Sequence, residues 1–381
     1  MNFDRLREHL DEMVADGVPG NDCIVTRDHE VLFRHRSGFA DKEAGRPISG
    51  DELYLMWSVS KVATCTAGVK LIEDGVISLD DPVSKYIEEF GDLKKVVRGP
   101  DGSPEKYVTP ENELKVVHLF TMTSGFSYNI DTPAIKEFRQ ASNGRCPTVG
   151  LARAIAKTPL EFEPGTSWMY GLSHDILAAV AEVASGVRFA DMVKELIFDP
   201  LGMKNSTFRK PDKKGDCRMA VQYSRDWESK RISRTDNSNF FALGPDHDSG
   251  GAGLVSTAED CALLADALAC GGVGASGKRI LKEETVRLMA TNRLTTEQRY
   301  CKRFREFHHL KGYGYGLGVR VMLDVSESGG VGTVGEFGWD GAAGSVLLAD
   351  PEKKISMFYA QHLLNDDNHL EELRDALYRS L

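Results

Sequence analysis

Met56-Trp57-Ser58-Val59-Ser60-Lys61 runs directly into the small and apolar stretch Val62-Ala63-Thr64-Cys65-Thr66-Ala67-Gly68-Val69. If Ser58 opens a helix, Lys61 lies one turn later on the same face, where a hydroxyl and an amine can meet. Such a pair is a nucleophile with its base. The helix start would add unpaired backbone N–H groups and positive partial charge, which favour an oxyanion forming beside Ser58. Spacing alone decides nothing, because chance supplies roughly one or two Ser-x-x-Lys matches in a chain of this length. The other match, Ser103-Pro104-Glu105-Lys106, lies in Gly-, Pro- and Asp-rich sequence that reads as a loop, so its side chains are not held on one face.

The totals narrow the possibilities. A chain of 381 residues with 41% hydrophobic content has room for two domains, or for one large domain with an insertion. A formal net charge of -10, with no long basic run and no basic amphipathic helix, argues against nucleic acid as a partner. The first ten residues are charged throughout and lack the apolar core of a signal peptide, and no stretch has the length of a membrane span. A cytoplasmic protein without membrane contact is expected. Seven scattered cysteines without C-x-x-C suit reduced thiols better than disulfides or zinc, and neither metal nor cofactor is expected.

Phe3, Leu6, Leu10, Met13 and Val14 predict an amphipathic helix ending near Gly17, and residues 23–26 and 31–33 predict a β-hairpin. The helix of Ser58 should end near Asp74-Gly75. Short helices broken by Pro and Gly follow, with candidates at 113–122, 133–140, 149–157, 173–184 and 189–198. Residues 210–245 read as an extended crossing segment with little regular structure. Helices are predicted at 257–269 and 283–290. Strand-like runs at 316–323, 331–337, 345–349 and 355–359 predict an antiparallel meander, and Leu370, Leu373, Leu377 and Leu381 a closing helix over one sheet face. The fold class is therefore α/β: an antiparallel sheet flanked by helices, with a mostly helical inserted domain. Residues 1–77 and 208–381 would form the α/β domain, residues 78–207 the helical one, with the active site between them.

Acyl transfer by serine needs a nucleophile, a proton acceptor and an oxyanion hole. Neither a G-x-S-x-G elbow nor an H-E-x-x-H helix is present, and no histidine pairs clearly with a serine. Lys61 is the better base candidate, provided that burial or a nearby cation lowers its pKa.

Here the sequence resembles the serine β-lactamase and penicillin-binding-protein superfamily, whose first signature is S-x-x-K at a helix start. The resemblance covers nearly the whole chain. His118-Leu119-Phe120-Thr121-Met122-Thr123-Ser124-Gly125 is similar to the family's H-L-L-x-H-T-S-G segment. Phe162-Glu163-Pro164-Gly165, followed by Tyr170, is similar to its F-x-P-G…Y stretch; Ser249–Thr257 and Tyr313–Gly318 also fit. The resemblance implies Ser58 as the acylated nucleophile, Lys61 as its activator and Tyr170 as a proton carrier. Without that context, Tyr170 reads as an ordinary capping or core tyrosine.

Two departures shift the match. Leu172 stands where Y-x-N has its asparagine, and Trp339-Asp340-Gly341 stands where K-T-G or H-T-G is usual. The first loses an amide for the substrate, and the second a cation for a β-lactam or peptide carboxylate. The variants resemble the family VIII carboxylesterases and related acyltransferases, whose likeness implies an oxyanion hole made by the amides of Ser58 and Ala342. Trp339 reads as pocket wall or core, and Asp340 as a group that narrows the site or selects a polar substituent. His247 and Asp248 read as pocket rim or solvated loop, Phe240-Phe241 as acyl pocket or core, and His174-Asp175 as supporting residues on the helix after Tyr170.

The expectation is a serine hydrolase that cleaves small esters through an acyl-Ser58 intermediate, with a small-molecule ester or amide as its partner. Acyl transfer, β-lactamase or D-aminopeptidase-type amide hydrolysis, and a binding protein on an inactive scaffold are the alternatives.

Overall fold

The computed structural model describes residues 1–209 and 217–381. Its centre is an eight-stranded sheet in the order Tyr313–Tyr315, Arg320–Met322, Phe337–Asp340, Val346–Asp350, Ile355–Gln361, Gly20–Arg27, Glu30–Asp41 and Arg46–Pro47, antiparallel throughout. The N-terminal hairpin and the C-terminal meander meet where Asn21 pairs with Gln361 and Arg27 with Ile355.

Both faces of that junction are covered, and the alternation of side chains along a strand shows how. Asn21 donates to Leu10 O on one face, toward the helix Asp4–Ala15, which packs on the closing helix Leu370–Ser380. Thr26 donates to Asp266 on the other face, toward the buried helix Ala258–Ala269. Leu6, Leu10 and Met13 turn inward from the first helix, and burying each such side chain contributes about 1.5–3 kcal/mol. With both faces buried, the strand Gly20–Arg27 is covered at every residue but the last.

The sequence expectations need several corrections. Residues 331–336 are not strand: Gly329, Gly330, Gly332 and Gly335 all take positive φ, and pairing starts at Phe337. The run 316–323 opens as a turn, with Gly318 at positive φ, and is strand only over Arg320–Met322. Ser103 lies in the turn of a hairpin, Lys95–Arg98 with Pro104–Val108, so Pro104, Glu105 and Lys106 belong to its exposed strand rather than to a loop. The crossing segment carries two short paired strands, Tyr223–Arg225 and Ile232–Arg234, while its residues 210–216 lie outside the described ones.

The expected helices occur as Val116–Phe120, Pro133–Ala141, Thr148–Ala156, Ser173–Ser185 and Phe189–Val193, the last continuing as a π-turn through Phe198. Among the described residues no helix is long and apolar enough to cross a membrane.

Candidate active site

Ser58 does not open the α-helix directly. It sits in a single 3-10 turn, Trp57–Val59, that feeds the buried helix Ser60–Glu73. Trp57 takes a left-handed φ of 48°, a conformation that costs a bulky L-residue roughly 1–3 kcal/mol. Three contacts hold it there. Met56 N donates to Leu254 O at 2.9 Å, Leu254 N donates to Ser60 Oγ at 2.9 Å, and the Trp57 indole donates to Gln222 Oε1 at 2.9 Å.

Lys61 is completely buried one turn on. Its Nζ donates to Ser58 Oγ at 3.0 Å, to Tyr128 Oη at 2.8 Å and to Gly251 O at 2.6 Å, and lies 4.5 Å from the centre of the Tyr170 ring. Burial lowers its pKa to about 7 against the opposing pull of Asp175. As the ammonium it can make all three contacts; once neutral, it keeps two N–H donors for Tyr128 and Gly251 and turns its lone pair to Ser58 Oγ, whose proton it can accept.

The glycine-rich stretch 249–253 is what lets a carbonyl reach that amine. A Cβ on Gly250 would lie 2.4 Å from His174 O, and one on Gly251 would lie 2.5 Å from the Asp175 carboxylate. Asp175 accepts from Ser249 Oγ at 2.6 Å; burial raises its pKa, but His247, Ser249 and Lys61 outweigh that and hold it below the usual carboxylate value.

Two tyrosines flank the serine because two loops are fastened together. Glu161 N donates to Gly125 O, Gly165 N to Thr123 O and Met169 N to Met122 O, all at 2.8–2.9 Å. A Cβ on Gly171 would lie 2.0 Å from Phe126 O, so only glycine permits the approach. Tyr128 and Tyr170 thereby stand with ring centres 5.3 Å apart, edge to face. Burial raises the pKa of both phenols, and the neighbouring Ser58 hydroxyl opposes the shift. Both are neutral O–H groups at physiological pH.

The strand Phe337–Asp340 supplies the opposite wall. Trp339 Nε1 donates to Tyr170 Oη at 2.6 Å. Beyond it, a Cβ on Gly341 would lie 2.6 Å from Met56 O, so glycine brings this strand end against the turn of Ser58. The exposed Ala342 follows, and its N–H has no backbone acceptor among the described residues. Phe241 packs on Tyr128 at 4.6 Å, and Phe240 on Trp57 at 5.0 Å.

The structure thus brings together Ser58, Lys61, Tyr170, Trp339, Gly341 and Phe241. Three other residues expected to meet substrate lie elsewhere. Asp340 points to the opposite side of its strand, into a buried ion pair with Arg320 at 2.7 Å. His247 is 6% exposed, with Nε2 3.6 Å from Asp175, and is no part of a rim. Leu172 is buried in the apolar core at the head of its helix. Asp248, likewise buried, pairs with Arg188. His174, its pKa lowered by burial to about 3, contacts Phe120 O and stays neutral. Tyr128 was missed: it lies three residues beyond the Thr-Ser-Gly segment, and no sequence spacing ties it to Ser58.

A family model described as Beta-lactamase matches residues 6–379. An uncharacterized protein of Mycobacterium tuberculosis is 28% identical over 372 residues, spanning 94% of this chain and 90% of its own. Esterase EstB of Burkholderia gladioli is 32% identical over 269 residues, 62% of each chain. Among solved structures, EstCE1, described as a hydrolase with promiscuous acyltransferase activity, superposes with a TM-score of 0.78 at 24% identity, covering 98% of this chain and 97% of its own. The sheet with flanking helices is the β-lactamase/transpeptidase-like fold, and the chain belongs to the beta-lactamase family of serine hydrolases.

Proposed function

We propose that the chain is a carboxylesterase acting on small esters through an acyl-Ser58 intermediate. The observation that carries this reading is the buried Lys61 amine, with a pKa of about 7, 3.0 Å from Ser58 Oγ. Lys61 takes the hydroxyl proton as Ser58 attacks the ester carbonyl. The amides of Ser58 and Ala342 receive the developing oxyanion. The proton then passes from the ammonium through a flanking phenol, Tyr170 or Tyr128, to the departing alkoxide. Water, activated by the same amine, attacks the acyl-enzyme and regenerates Ser58.

Ester over β-lactam is favoured by the wall itself. Trp339 offers its N–H to Tyr170, and no cation stands in the strand motif to meet a substrate carboxylate. The two-part division belongs to the same proposal: residues 1–77 with 208–381 carry Ser58, Lys61 and Trp339, and residues 78–207 carry Tyr128 and Tyr170. An alcohol or amine can replace water in the second step, which makes acyl transfer the second reading.

Intact-mass measurement with an organophosphonate tests the nucleophile, with one covalent adduct expected on Ser58. No adduct, or equal ester hydrolysis by Ser58→Ala, would sink the enzyme. Turnover of a short p-nitrophenyl ester should exceed that of nitrocefin; the reverse order would contradict the esterase assignment.

A further inference from the structure

The stretch 299–311, Arg-Tyr-Cys-Lys-Arg-Phe-Arg-Glu-Phe-His-His-Leu-Lys, carries five arginines and lysines against one glutamate, in a chain that is net acidic. The sequence reading found no basic run because aromatics interrupt this one. In the fold it forms two single helical turns, Thr296–Arg299 and Lys302–Arg305, and a 3-10 turn at His308–Leu310. Phe304 and Phe307 insert against Trp168, at 5.0 and 5.3 Å between ring centres.

An ordinary solvated basic face spreads its charges over a convex surface. Here Arg299, Lys302, Arg305 and Lys311 converge on one concave groove of about 720 Å³, lined also by aromatic rings, with Glu327 its only acidic lining residue among the described ones. Arg299 is engaged with Tyr313 O and the Tyr300 ring. Lys302, Arg305 and Lys311 are exposed and form no ion pair among the described residues. Phe307 is shared: it lines the groove, and its ring is 5.3 Å from that of Tyr170, whose ring centre lies 4.5 Å from the Lys61 amine.

We infer that this groove binds the anionic end, phosphate or carboxylate, of a small-molecule substrate whose ester is cleaved at Ser58. This rests on the esterase reading and names its substrate class: an ester uncharged at the reacting carbonyl and negatively charged at a distance. The volume is that of a small-ligand site, and the aromatic lining suits the linking carbons. The partly exposed cations give a salt-sensitive attraction.

The test uses two ladders of esters with increasing spacer length. One is p-nitrophenyl monoesters of dicarboxylic acids, with the anion on the acyl side; the other is butyrate esters of hydroxyalkyl phosphates, with the anion on the alcohol side. Each is compared with its uncharged methyl-ester counterpart on the same enzyme. At one spacer length in at least one ladder, kcat/KM for the anion should exceed its neutral match by about tenfold. The ladder that responds identifies which side of the ester carries the charge.

That ratio should fall toward one as salt rises from about 50 to 500 mM. It should also collapse in Lys302→Glu/Arg305→Glu/Lys311→Glu; being a ratio, it is insensitive to a general loss of activity. No preference at any length, or one indifferent to both salt and charge reversal, overturns the proposal. So does inhibition by polyglutamate with neither ladder responding, which would point to an acidic protein. Failure of the esterase reading is separate, since it would appear as Ser58-independent cleavage of p-nitrophenyl butyrate.

Discussion

Trp339 Nε1 and Tyr170 Oη are 2.6 Å apart, and the indole is the donor. One lone pair of the phenol is thereby occupied from the strand side, which orients its O–H away from Trp339. Trp339→Phe keeps an aromatic wall but removes the donor. A lost hydrogen bond of about 1–2 kcal/mol predicts a kcat for p-nitrophenyl butyrate lower by about 5- to 30-fold, with KM changed much less. Unaltered kcat would mean that the indole only fills space.

The pH profile should report Lys61. A base must be neutral to work, so kcat/KM for an uncharged ester should be low at acid pH and rise through about pH 7 as the ammonium loses its proton. Both phenols are raised by burial, so no tyrosine ionisation should interrupt the plateau on the mildly alkaline side. The Asp175 carboxylate raises the Lys61 pKa, and Asp175→Asn removes that charge. Its acid limb should therefore move to lower pH; movement to higher pH would contradict the assignment.

Tyr128 and Tyr170 can be separated by deletion of single hydroxyls. If Tyr170 carries the proton to the leaving group, Tyr170→Phe should lower kcat by about 10²–10⁴, the range for general acid–base groups. Tyr128 also anchors the Lys61 amine at 2.8 Å. Tyr128→Phe should cost about tenfold, with a shifted acid limb because a contact of the ammonium is gone. Equal losses with identical pH profiles would make the two phenols interchangeable carriers.

Arg320 and Asp340 form a buried pair beneath the catalytic strand. Arg320→Met leaves a carboxylate without its partner, and destabilisation of about 3–5 kcal/mol is expected in urea unfolding. Adding Asp340→Leu removes the stranded charge and should restore most of it. If the double variant is no more stable than the single one, the ion pair is not what the strand requires.

Much of the architecture was legible because it follows from periodicity. The leucine spacing of the last helix, the N-terminal hairpin and the fully buried strand Ile355–Gln361 each have one favourable burial. The serine and lysine were legible through a short-range spacing, and Tyr170 through its proline-glycine context. What stayed hidden depends on long-range approach. Tyr128 reaches Lys61 across 67 positions, and its loop is brought there by long-range backbone hydrogen bonds and by the close packing of Gly171 on Phe126. Asp340 and His247 were misplaced for a related reason. A polar residue near a motif reads as functional, yet strand alternation turns Asp340 to Arg320, and packing turns His247 to Asp175.

The left-handed backbone at Trp57 has a consequence for transplanting this chemistry. The aim of Ser58 does not belong to the helix that follows it. It is set at one disfavoured residue and held by Gln222, 165 positions from Trp57, and by Leu254, 194 positions from Ser60. A graft of residues 54–73 onto another scaffold would carry the serine and lysine but let the hinge relax, and the two groups would arrive correctly spaced and wrongly pointed. Portability would require those distant clamps to travel with it.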